Sequence, residues 1–319
     1  MYRIGVDLGG TNIKVGLVGE DYRIIDQRSC KTNVQTGAEG VTDRIVSQVR
    51  GIMKQNSITE KDIPGVGVGC PGIINTESGT VIYSNNFDWH NLPVKAILEK
   101  KLGMPIAVTN DANCAVLGEL WAGNGAGCRN IVLLTLGTGV GSGIIVNGEL
   151  LTGSGCGGVA GHNIIIKDGR RCTCGKNGCL EAYASATALI SETKKKLTMN
   201  PYSRIADLCR RNPDRIDGKT AFEAARLGDA CGAEIVDEYI DALATGISNL
   251  VNLFRPEKIL LSGGICNQGE RLLTPLNEKV KKYCFAAEYL HSPVVEIARL
   301  KNTAGIIGAA SLITQKGEI

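Results

Sequence analysis

Aromatic residues and long apolar runs are both scarce in this sequence. Phe, Trp and Tyr together make up 4% of the 319 residues, so the core must be built mainly from aliphatic side chains. No apolar run reaches the roughly 18 residues that a membrane-spanning helix needs, and we expect no membrane partner. Basic residues are dispersed and the formal net charge is +3, so the charge pattern does not favour a nucleic-acid partner.

A charged and then apolar leader is also missing, because the chain opens directly on the strand-like stretch M-Y-R-I-G-V-D. We therefore expect a cytoplasmic protein whose 12 cysteines are mostly reduced, rather than a secreted disulfide protein. A chain of 319 residues is long for one hydrophobic core and typical of two domains.

Glycine, in contrast, is abundant, with 41 residues that cluster in short turns after apolar runs. The first cluster lies in I-G-V-D-L-G-G-T-N-I-K-V-G-L-V at 4–18, which predicts two strands joined by a tight turn at Gly9 and Gly10. Such a turn lets a phosphate approach the backbone, and Asp7 beside it could hold Mg²⁺ or its waters. A plain hairpin turn with a capping aspartate is the alternative.

A second copy of this unit lies at 132–146, where V-L-L-T-L-G-T-G-V-G-S-G-I-I-V again has the form strand, glycine turn, strand. Thr135 takes the place of the aspartate, and the turn is formed by Gly137, Thr138 and Gly139. Two copies of one unit predict a duplicated domain, with the two turns facing each other across a cleft and holding a nucleotide polyphosphate.

A third candidate is Asp111, which follows a predicted strand at 105–109 and opens a helix with N-D-A-N-C-A-V-L-G-E-L-W. One interpretation is an N-terminal cap. The other is a general base, because a carboxylate at a helix start has a fixed orientation and the helix dipole keeps it ionised. The sequence leaves both open.

Two more segments carry polar groups that suit ligands. Residues 83–92 form a predicted polar loop, Y-S-N-N-F-D-W-H-N-L, whose amides and indole suit a sugar, although Asn85 and Asn86 are also ordinary turn formers. A short predicted strand at 258–261 runs into S-G-G-I, a third glycine turn where a flat ring or ribose could approach the backbone.

Three cysteines and a histidine form the most specific cluster in the chain. Cys172, Cys174 and Cys179 lie within C-T-C-G-K-N-G-C, and His162 precedes them. Three thiolates and an imidazole satisfy a tetrahedral zinc ion, and a closed shell of four protein ligands is normally structural. Buried or redox-active cysteines beside an unrelated histidine are the alternative.

Six motifs follow one another along the chain: D-L-G-G-T, N-D, L-G-T-G-V-G-S-G, G-H, C-T-C-G-K-N-G-C-L-E and S-G-G-I. In this order they closely resemble the ROK family (repressors, open reading frames, kinases), nearly end to end. The resemblance implies an α/β protein of the actin-like ATPase fold, with two ribonuclease-H-like domains and an interdomain cleft. We expect a small N-terminal domain at 1–115 plus 303–319, and a larger C-terminal domain at 116–302 with the zinc site and helical insertions.

The resemblance also implies roles for individual residues. Those of the first phosphate loop are Asp7, Gly9, Gly10, Thr11 and Lys14. Those of the second phosphate loop are Thr135, Gly137, Thr138 and Gly139. The adenosine would touch the turn at 262–265, which includes Ser262, Gly263 and Gly264. The sugar hydroxyls would be bound by Asn86, Asn110, Asp111 and Glu181, with Asp111 taking the proton of the attacking hydroxyl. His162 would be both a zinc ligand and a wall of the sugar site.

Family kinases phosphorylate hexoses at the 6-hydroxyl with Mg-ATP, so the implied activity is an ATP-dependent hexose 6-kinase, which we expect to be a homodimer. Glucokinase is the favoured interpretation, and N-acetylmannosamine kinase or another ROK hexokinase is the alternative; the donor could be ATP or polyphosphate. One position departs from the family, because the usual A-G-E-x-G-H reads G-G-V-A-G-H here. Either Val159 stands in place of the sugar-binding glutamate or the loop is shortened, and no carboxylate is available in either case. A sugar-binding protein without catalysis therefore stays open.

A transcriptional repressor is the remaining alternative, because ROK repressors share the same core. They carry an N-terminal helix-turn-helix extension of several dozen residues. Here Asp7 comes within the first residues of the chain, and we expect no DNA-binding domain.

Overall fold

The structure is a computed structural model that describes residues 2–290 and 293–313. The strands alternate with helices in both halves of this part of the chain, as an α/β architecture requires. The strands are β1 (Arg3–Leu8), β2 (Asn12–Val18), β3 (Ile24–Lys31), β4 (Val66–Cys70), β5 (Ile73–Asn75), β6 (Thr80–Ser84), β7 (Trp89–Leu92), β8 (Ile106–Asn110), β9 (Ile131–Leu136), β10 (Val140–Val146), β11 (Glu149–Leu150), β12 (Lys258–Ser262) and β13 (Val294–Ile297).

Three long amphipathic helices, at 37–55, 230–254 and 270–283, carry apolar residues at helical spacing and bury that face. The helices of the described chain are α1 (Gly37–Gln55), α2 (Val94–Leu102), α3 (Asp111–Ala122), α4 (Glu181–Ala184), α5 (Ala186–Met199), α6 (Arg204–Leu208), α7 (Thr220–Arg226), α8 (Ala230–Phe254), α9 (Glu270–Tyr283) and α10 (Ala304–Ser311). In the described part of the chain no helix combines the length and the apolar character needed to cross a membrane.

The first sheet has the strand order β3-β2-β1-β4-β8. Its strands β1, β2 and β3 form an antiparallel meander, while β4 pairs parallel to β1 and β8 pairs parallel to β4. Strands β1, β2, β4 and β8 are largely buried and aliphatic, which agrees with the low aromatic content, whereas β3 alternates half-buried and exposed residues.

The second five-stranded sheet has the order β11-β10-β9-β12-β13, in which β10 and β11 are antiparallel and β12 and β13 are parallel. Each sheet therefore places its strand–turn–strand unit, β1–β2 or β9–β10, in the same position of the same strand order. The predicted duplication is confirmed at the level of topology.

Helix α10 packs unusually close to its neighbours because its small residues leave room for backbone contact. A Cβ on Gly308 would clash with the carbonyl oxygen of Cys114 in α3, and a Cβ on Gly118 would clash with that of Ala304. The small residues of T-A-G-I-I-G-A-A-S-L at 303–312 predict a helix that packs tightly against another helix, and these contacts confirm it.

Two local predictions were wrong. The segment 83–92 is not a loop: β6 and β7 pair antiparallel through Tyr83 and His90, and only the residues between the strands form a turn. The apolar spacing of 180–196 predicts one continuous helix, but the helix is broken at Ser185. The Oγ of Ser185 accepts a hydrogen bond from the backbone nitrogen of Ala188 at 3.0 Å and caps α5. A serine that bonds to the backbone in this way starts a new helix.

The chain divides into two compact units, which comprise Met1–Ile131, Gly143–Gly158 and Ala298–Ile319 in the first, and Val132–Ser142 and Val159–Ile297 in the second. The domain limits expected from the sequence, 1–115 plus 303–319 and 116–302, stay a prediction, since compactness divides the chain at other residues. Part of that expectation, 314–319, lies outside the described residues.

Candidate active site

The first glycine turn connects β1 to β2 and is held closed by hydrogen bonds. The backbone nitrogen of Gly9 donates to the carbonyl oxygen of Asn12 at 3.0 Å. The hydroxyl of Thr32, just after β3, donates to the carbonyl oxygen of Gly9 at 2.6 Å. Gly10 and Thr11 at the tip of this turn are exposed, so the predicted phosphate loop is accessible from solvent.

Asp7 and Lys14 face each other across the antiparallel pair just behind this turn. Lys14 Nζ lies 3.6 Å from Asp7 Oδ2. Burial raises the pKa of the Asp7 carboxyl, and the charge and hydrogen bond of Lys14 oppose that rise. A carboxylate and an ammonium thus lie side by side directly behind the first glycine turn.

A residue that the sequence reasoning missed, Gly305, lies against Asp7. A Cβ at Gly305 would be 3.1 Å from Asp7 Cγ, so the aspartate packs on the first turn of α10. The stretch T-A-G-I-I-G-A-A-S-L did signal close packing, but nothing in it identified Asp7 as the neighbour.

Asp111 is the first residue of α3, and the cap of that helix is Asn110. The Asn110 side-chain oxygen accepts a hydrogen bond from the backbone nitrogen of Asn113 at 2.7 Å. Asp111 Oδ1 instead accepts from the adjacent nitrogen of Ala112 at 2.9 Å. The capping interpretation of Asp111 was therefore wrong, and its carboxylate remains available for chemistry.

The surroundings of Asp111 change its acidity. The pKa of its carboxyl is raised, chiefly because the surrounding protein removes water from the charged form. The hydrogen bond from Ala112 lowers the pKa, and the negative charge of Asp7 raises it again. The Asp111 side chain is nevertheless open to solvent, which screens the charge, so we expect the rise to be smaller than full burial would produce.

Asn86 lies in the turn between β6 and β7 and is exposed. A Cβ on Gly10 would be 3.7 Å from Asn86 Nδ2, so this amide sits beside the first phosphate loop. The indole of Trp89 is different: it is only 5% exposed and stacks on Phe87 with ring centroids 4.6 Å apart. The expected contribution of the indole to a sugar site was wrong, because that ring belongs to the core.

The second glycine turn connects β9, which contains Thr135, to β10. The backbone nitrogen of Gly137 donates to the carbonyl oxygen of Gly139 at 3.0 Å. The carbonyl oxygen of Gly137 accepts from the nitrogen of Ala186, the first residue of α5, at 2.8 Å. The turn is thus fixed to the start of a helix, and Thr138 forms part of a cavity wall beside it.

Glu181, the first residue of α4, is held by this second turn. Its Oε2 accepts a hydrogen bond from the backbone nitrogen of Val140 at 3.0 Å. Its Oε1 accepts one from the hydroxyl of Thr173 at 2.8 Å, and Cys172 Sγ lies 3.6 Å from the same oxygen. The carboxylate has a fixed position, and Thr173 is a second residue that the sequence reasoning missed.

Glu181 and Thr173 line a cavity of about 370 Å³ within the second unit. Its wall is rich in hydroxyl and charged groups, which suit a polar ligand. The lining residues are Thr138, Arg170, Arg171, Cys172, Thr173, Glu181, Ala182, Ser185, Thr187, Ala188, Ser191, Glu192 and Lys195.

The structure brings the cysteine cluster together. One ligand atom from each of His162, Cys172, Cys174 and Cys179 lies within 4.8 Å of all the others. Cys172 Sγ is 3.7 Å from His162 Nδ1, and Cys174 Sγ is 3.6 Å from Cys179 Sγ. Sulfur atoms in a tetrahedral shell with bonds of ~2.3 Å are about 3.7 Å apart, so these donors fit a zinc ion.

The backbone around the cluster is folded into a tight knot. The nitrogen of Cys172 donates to the carbonyl oxygen of Lys176 at 2.8 Å, and the nitrogen of Gly175 donates to the carbonyl oxygen of Cys172 at 3.0 Å. Gly178 has a φ of 84° and lies so close to Ile166 that a Cβ would clash with its carbonyl oxygen. Glycine is required there for both reasons.

The third glycine turn follows β12 and is also closely packed. Gly263 has a φ of 107°, and a Cβ on it would clash with the carbonyl oxygen of Leu136 in β9. A Cβ on Gly264 would meet nothing within 4 Å, so this turn is open on one side. Ser262 is the last residue of β12 and leads directly into the turn.

Val159 precedes the short 3₁₀ turn Ala160–His162 and is 50% exposed. The turn is anchored because the backbone nitrogen of Ala160 donates to the hydroxyl of Ser142 at 2.7 Å. Val159 thus presents an apolar, half-exposed side chain directly before this turn.

Two sheets with the same strand order, each carrying a glycine turn between its first two strands, are typical of the actin-like ATPase fold, and this chain has that fold. A family model described as ROK family matches residues 3–316, and the chain belongs to the ROK family. The resemblance stated from the motifs is confirmed.

Individual relatives are similar to this chain over nearly its whole length. Glucokinase from Thermotoga maritima is 42% identical over 323 residues, which cover 98% of this chain and 97% of that protein. The crystal structure of a ROK family glucokinase from Streptomyces griseus in complex with glucose and AMPPNP matches with a TM-score of 0.81 and 34% identity, covering 98% of this chain and 99% of that one. The xylose repressor of Caldicellulosiruptor bescii is 31% identical over 97% of this chain and 77% of the repressor.

Proposed function

We propose that this chain transfers the γ-phosphoryl group of ATP to the 6-hydroxyl of glucose, with Asp111 as the base. The chain is an ATP-dependent hexose kinase, as are its full-length glucokinase relatives. The observation that carries the role of Asp111 is that Asn110 caps α3 in its place, which leaves the Asp111 carboxylate at the start of the helix without a capping duty.

In this reaction the protein itself has little covalent chemistry to perform. The sugar oxygen attacks the γ-phosphorus, the bond to the bridging oxygen of ADP breaks, and the hydroxyl proton passes to the Asp111 carboxylate. Positioning and charge stabilisation supply most of the rate enhancement in such transfers. The raised pKa of Asp111 helps because it moves the carboxyl toward the working pH of a general base.

The nucleotide would be held by the three glycine turns. Asp7 and Lys14 would face the metal-bound phosphates, with Gly9, Gly10 and Thr11 forming the first phosphate loop. Mg²⁺ supplies charge neutralisation on the phosphate oxygens. The second phosphate loop would be formed by Thr135, Gly137, Thr138 and Gly139. The adenosine would lie on the turn that contains Ser262, Gly263 and Gly264.

The sugar would be bound by the amides of Asn86 and Asn110 and by Asp111, His162 and Glu181. The fixed carboxylate of Glu181 supports this role, since a preorganised acceptor loses little entropy when a hydroxyl binds. Val159 offers no hydrogen bond at its position, which would weaken recognition of one hydroxyl.

The Cys3His cluster would hold a structural zinc ion, since its donors fit and its four ligands close the shell. Zinc would contribute folding energy to the knot that carries Thr173 and leads into α4. Reduced cysteines without metal remain the alternative. We further propose a homodimer in the cytoplasm, as expected from the family resemblance.

A coupled ADP-release assay with glucose, mannose, N-acetylmannosamine, fructose and allose tests the proposal. We expect the highest kcat/KM with glucose and ATP. Polyphosphate replaces ATP in a parallel series to identify the donor. No turnover with any of these sugars would contradict the activity, and a preference for N-acetylmannosamine would favour the alternative kinase.

The repressor alternative is tested separately. The chain spans 77% of the length of the xylose repressor that it matches, so the shared region does not by itself separate kinase from repressor. A gel-shift assay with random and palindromic duplexes should give no specific retention. Specific retention would support a DNA-binding function.

A further inference from the structure

Thr173 lies between two of the four possible metal ligands, and its hydroxyl has two neighbours: Cys172 Sγ at 4.0 Å and, much closer, the carboxylate of Glu181. Its Oγ1 is 2.8 Å from Glu181 Oε1, a good distance for a hydroxyl donating to a carboxylate. Cys172 Sγ, its sequence neighbour, is 3.6 Å from the same oxygen, and a thiol is only a weak donor. The hydroxyl of Thr173 is therefore the principal side-chain donor to Glu181.

The other oxygen of Glu181 is fixed by backbone. Val140 donates its N–H to Oε2 at 3.0 Å, and the absence of a side chain at Gly139 makes room for that oxygen. Each oxygen of the carboxylate therefore accepts a hydrogen bond. The donor to Oε2 is in the second glycine turn, and the donor to Oε1 is Thr173 in the cysteine knot. If either hydrogen bond were lost, the carboxylate could rotate away from its seat.

We propose that Thr173 is a positioning residue that orients the Glu181 carboxylate for sugar binding, and so transmits the rigidity of the Cys3His knot to the sugar site. The inference rests on the proposed function, because it takes Glu181 as a sugar ligand. The cysteine knot restricts the backbone of Thr173, since the residues on both sides of it, Cys172 and Cys174, belong to the cluster. A hydroxyl carried on so constrained a backbone is a fixed donor rather than a mobile one.

The test compares Thr173→Val with Thr173→Ser. Valine keeps the shape and removes the donor, whereas serine restores it. Thr187→Val is the matched control, because Thr187 is an exposed threonine in the same cavity wall whose hydroxyl is not among the donors to Glu181 that the structure describes. Steady-state kinetics give KM and kcat for glucose, calorimetry gives glucose affinity without turnover, and metal analysis gives the zinc content of each variant.

We expect Thr173→Val to raise KM and Kd for glucose about 10-fold, as the loss of one hydrogen bond to a charged group predicts, with kcat within about 2-fold. Thr173→Ser and Thr187→Val should stay within about 2-fold of the wild type. All variants should keep wild-type zinc content. In the Glu181→Ala background, Thr173→Val should have no further effect, because its partner is already gone.

Three results would overturn the inference. They are unchanged KM and Kd in Thr173→Val, a serine variant as impaired as the valine variant, or loss of zinc from Thr173→Val, which would show that the hydroxyl serves the metal shell. A wild-type protein that binds glucose without turnover contradicts the proposed kinase, while calorimetry still tests Thr173. A wild type that neither binds nor phosphorylates glucose overturns both.

Discussion

The carboxylate of Glu181 occupies the space that a Cβ on Gly139 would need. Val140, the next residue, donates its N–H to the same carboxylate at 3.0 Å. The second glycine turn therefore positions an acidic side chain that is distant in sequence, because the missing side chain of Gly139 leaves room for the Glu181 carboxylate. Any side chain at position 139 would therefore disturb the position of the Glu181 carboxylate.

Gly139→Ala should displace Glu181, since the new methyl group and the carboxylate cannot share one volume. We expect KM for glucose to rise about 10-fold, as the loss of a hydrogen bond to a charged group predicts. Steady-state kinetics with glucose varied at saturating ATP measure this. Gly137→Ala is the control for fold stability, because a Cβ at this neighbouring glycine would meet nothing within 4 Å. An unchanged KM in Gly139→Ala would show that Glu181 does not need this seat to bind sugar.

Asp111→Asn should lower kcat for glucose phosphorylation at least ~100-fold, because the amide cannot accept the hydroxyl proton. KM for ATP should change little, since the proposed nucleotide contacts come from other residues. Asp207→Asn, which alters an exposed carboxylate on α6, is the control and should keep wild-type kcat. Turnover of Asp111→Asn within a few-fold of the wild type would refute the role of the base.

The same substitution should stabilise the fold at neutral pH. The folded-state pKa of Asp111 is raised, so the folded protein holds the proton over a pH range in which the unfolded chain has lost it. Stability is then lost as pH rises through that range, and an uncharged side chain avoids the loss. The Tm of Asp111→Asn should exceed that of the wild type at about pH 7.5, with a gap that narrows toward about pH 5. Thermal denaturation at both pH values checks this; a gap that widens on acidification would contradict the sign.

Removal of one cluster cysteine should cost both metal and stability. Cys179→Ser lowers the zinc content and reduces Tm by at least about 5 °C, because ligand loss removes metal-coupled folding energy. A chelator should have the same effect on the wild type. Cys156→Ser is the control, since Cys156 is exposed and lies outside the cluster. A wild-type protein purified without metal, yet equally stable in chelator, would refute the zinc site.

Several features of this protein followed from local sequence alone. The strand–turn–strand units around Gly9 and Gly10 and around Gly137 and Gly139 were predictable, because alternating strands and glycine turns are decided by neighbouring residues. The cysteine cluster was equally readable, since three of its four members lie within a few residues and need only a tight turn to meet. The order of the motifs was enough to indicate the family.

The misread segments show where local signals compete. Asn and Asp are both favourable N-cap residues. Only the backbone path from β8 into α3 decides that Asn110, and not Asp111, is the N-cap. Likewise Trp89 follows a run of turn-forming residues, but pairing of β7 with β6 directs its ring into the core. Propensity could not rank these alternatives, because tertiary context overrides it.

The sequence by itself determined the repeated units, the cysteine cluster and the family, all of which depend on neighbouring positions or on motif order. Only the tertiary structure decided which distant groups meet: Glu181 with Val140 and Thr173, Asp7 with the first turn of α10, and Gly263 with the carbonyl of Leu136. These contacts depend on how whole strands and helices pack, and packing is set by the sum of many weak contacts that no single motif encodes.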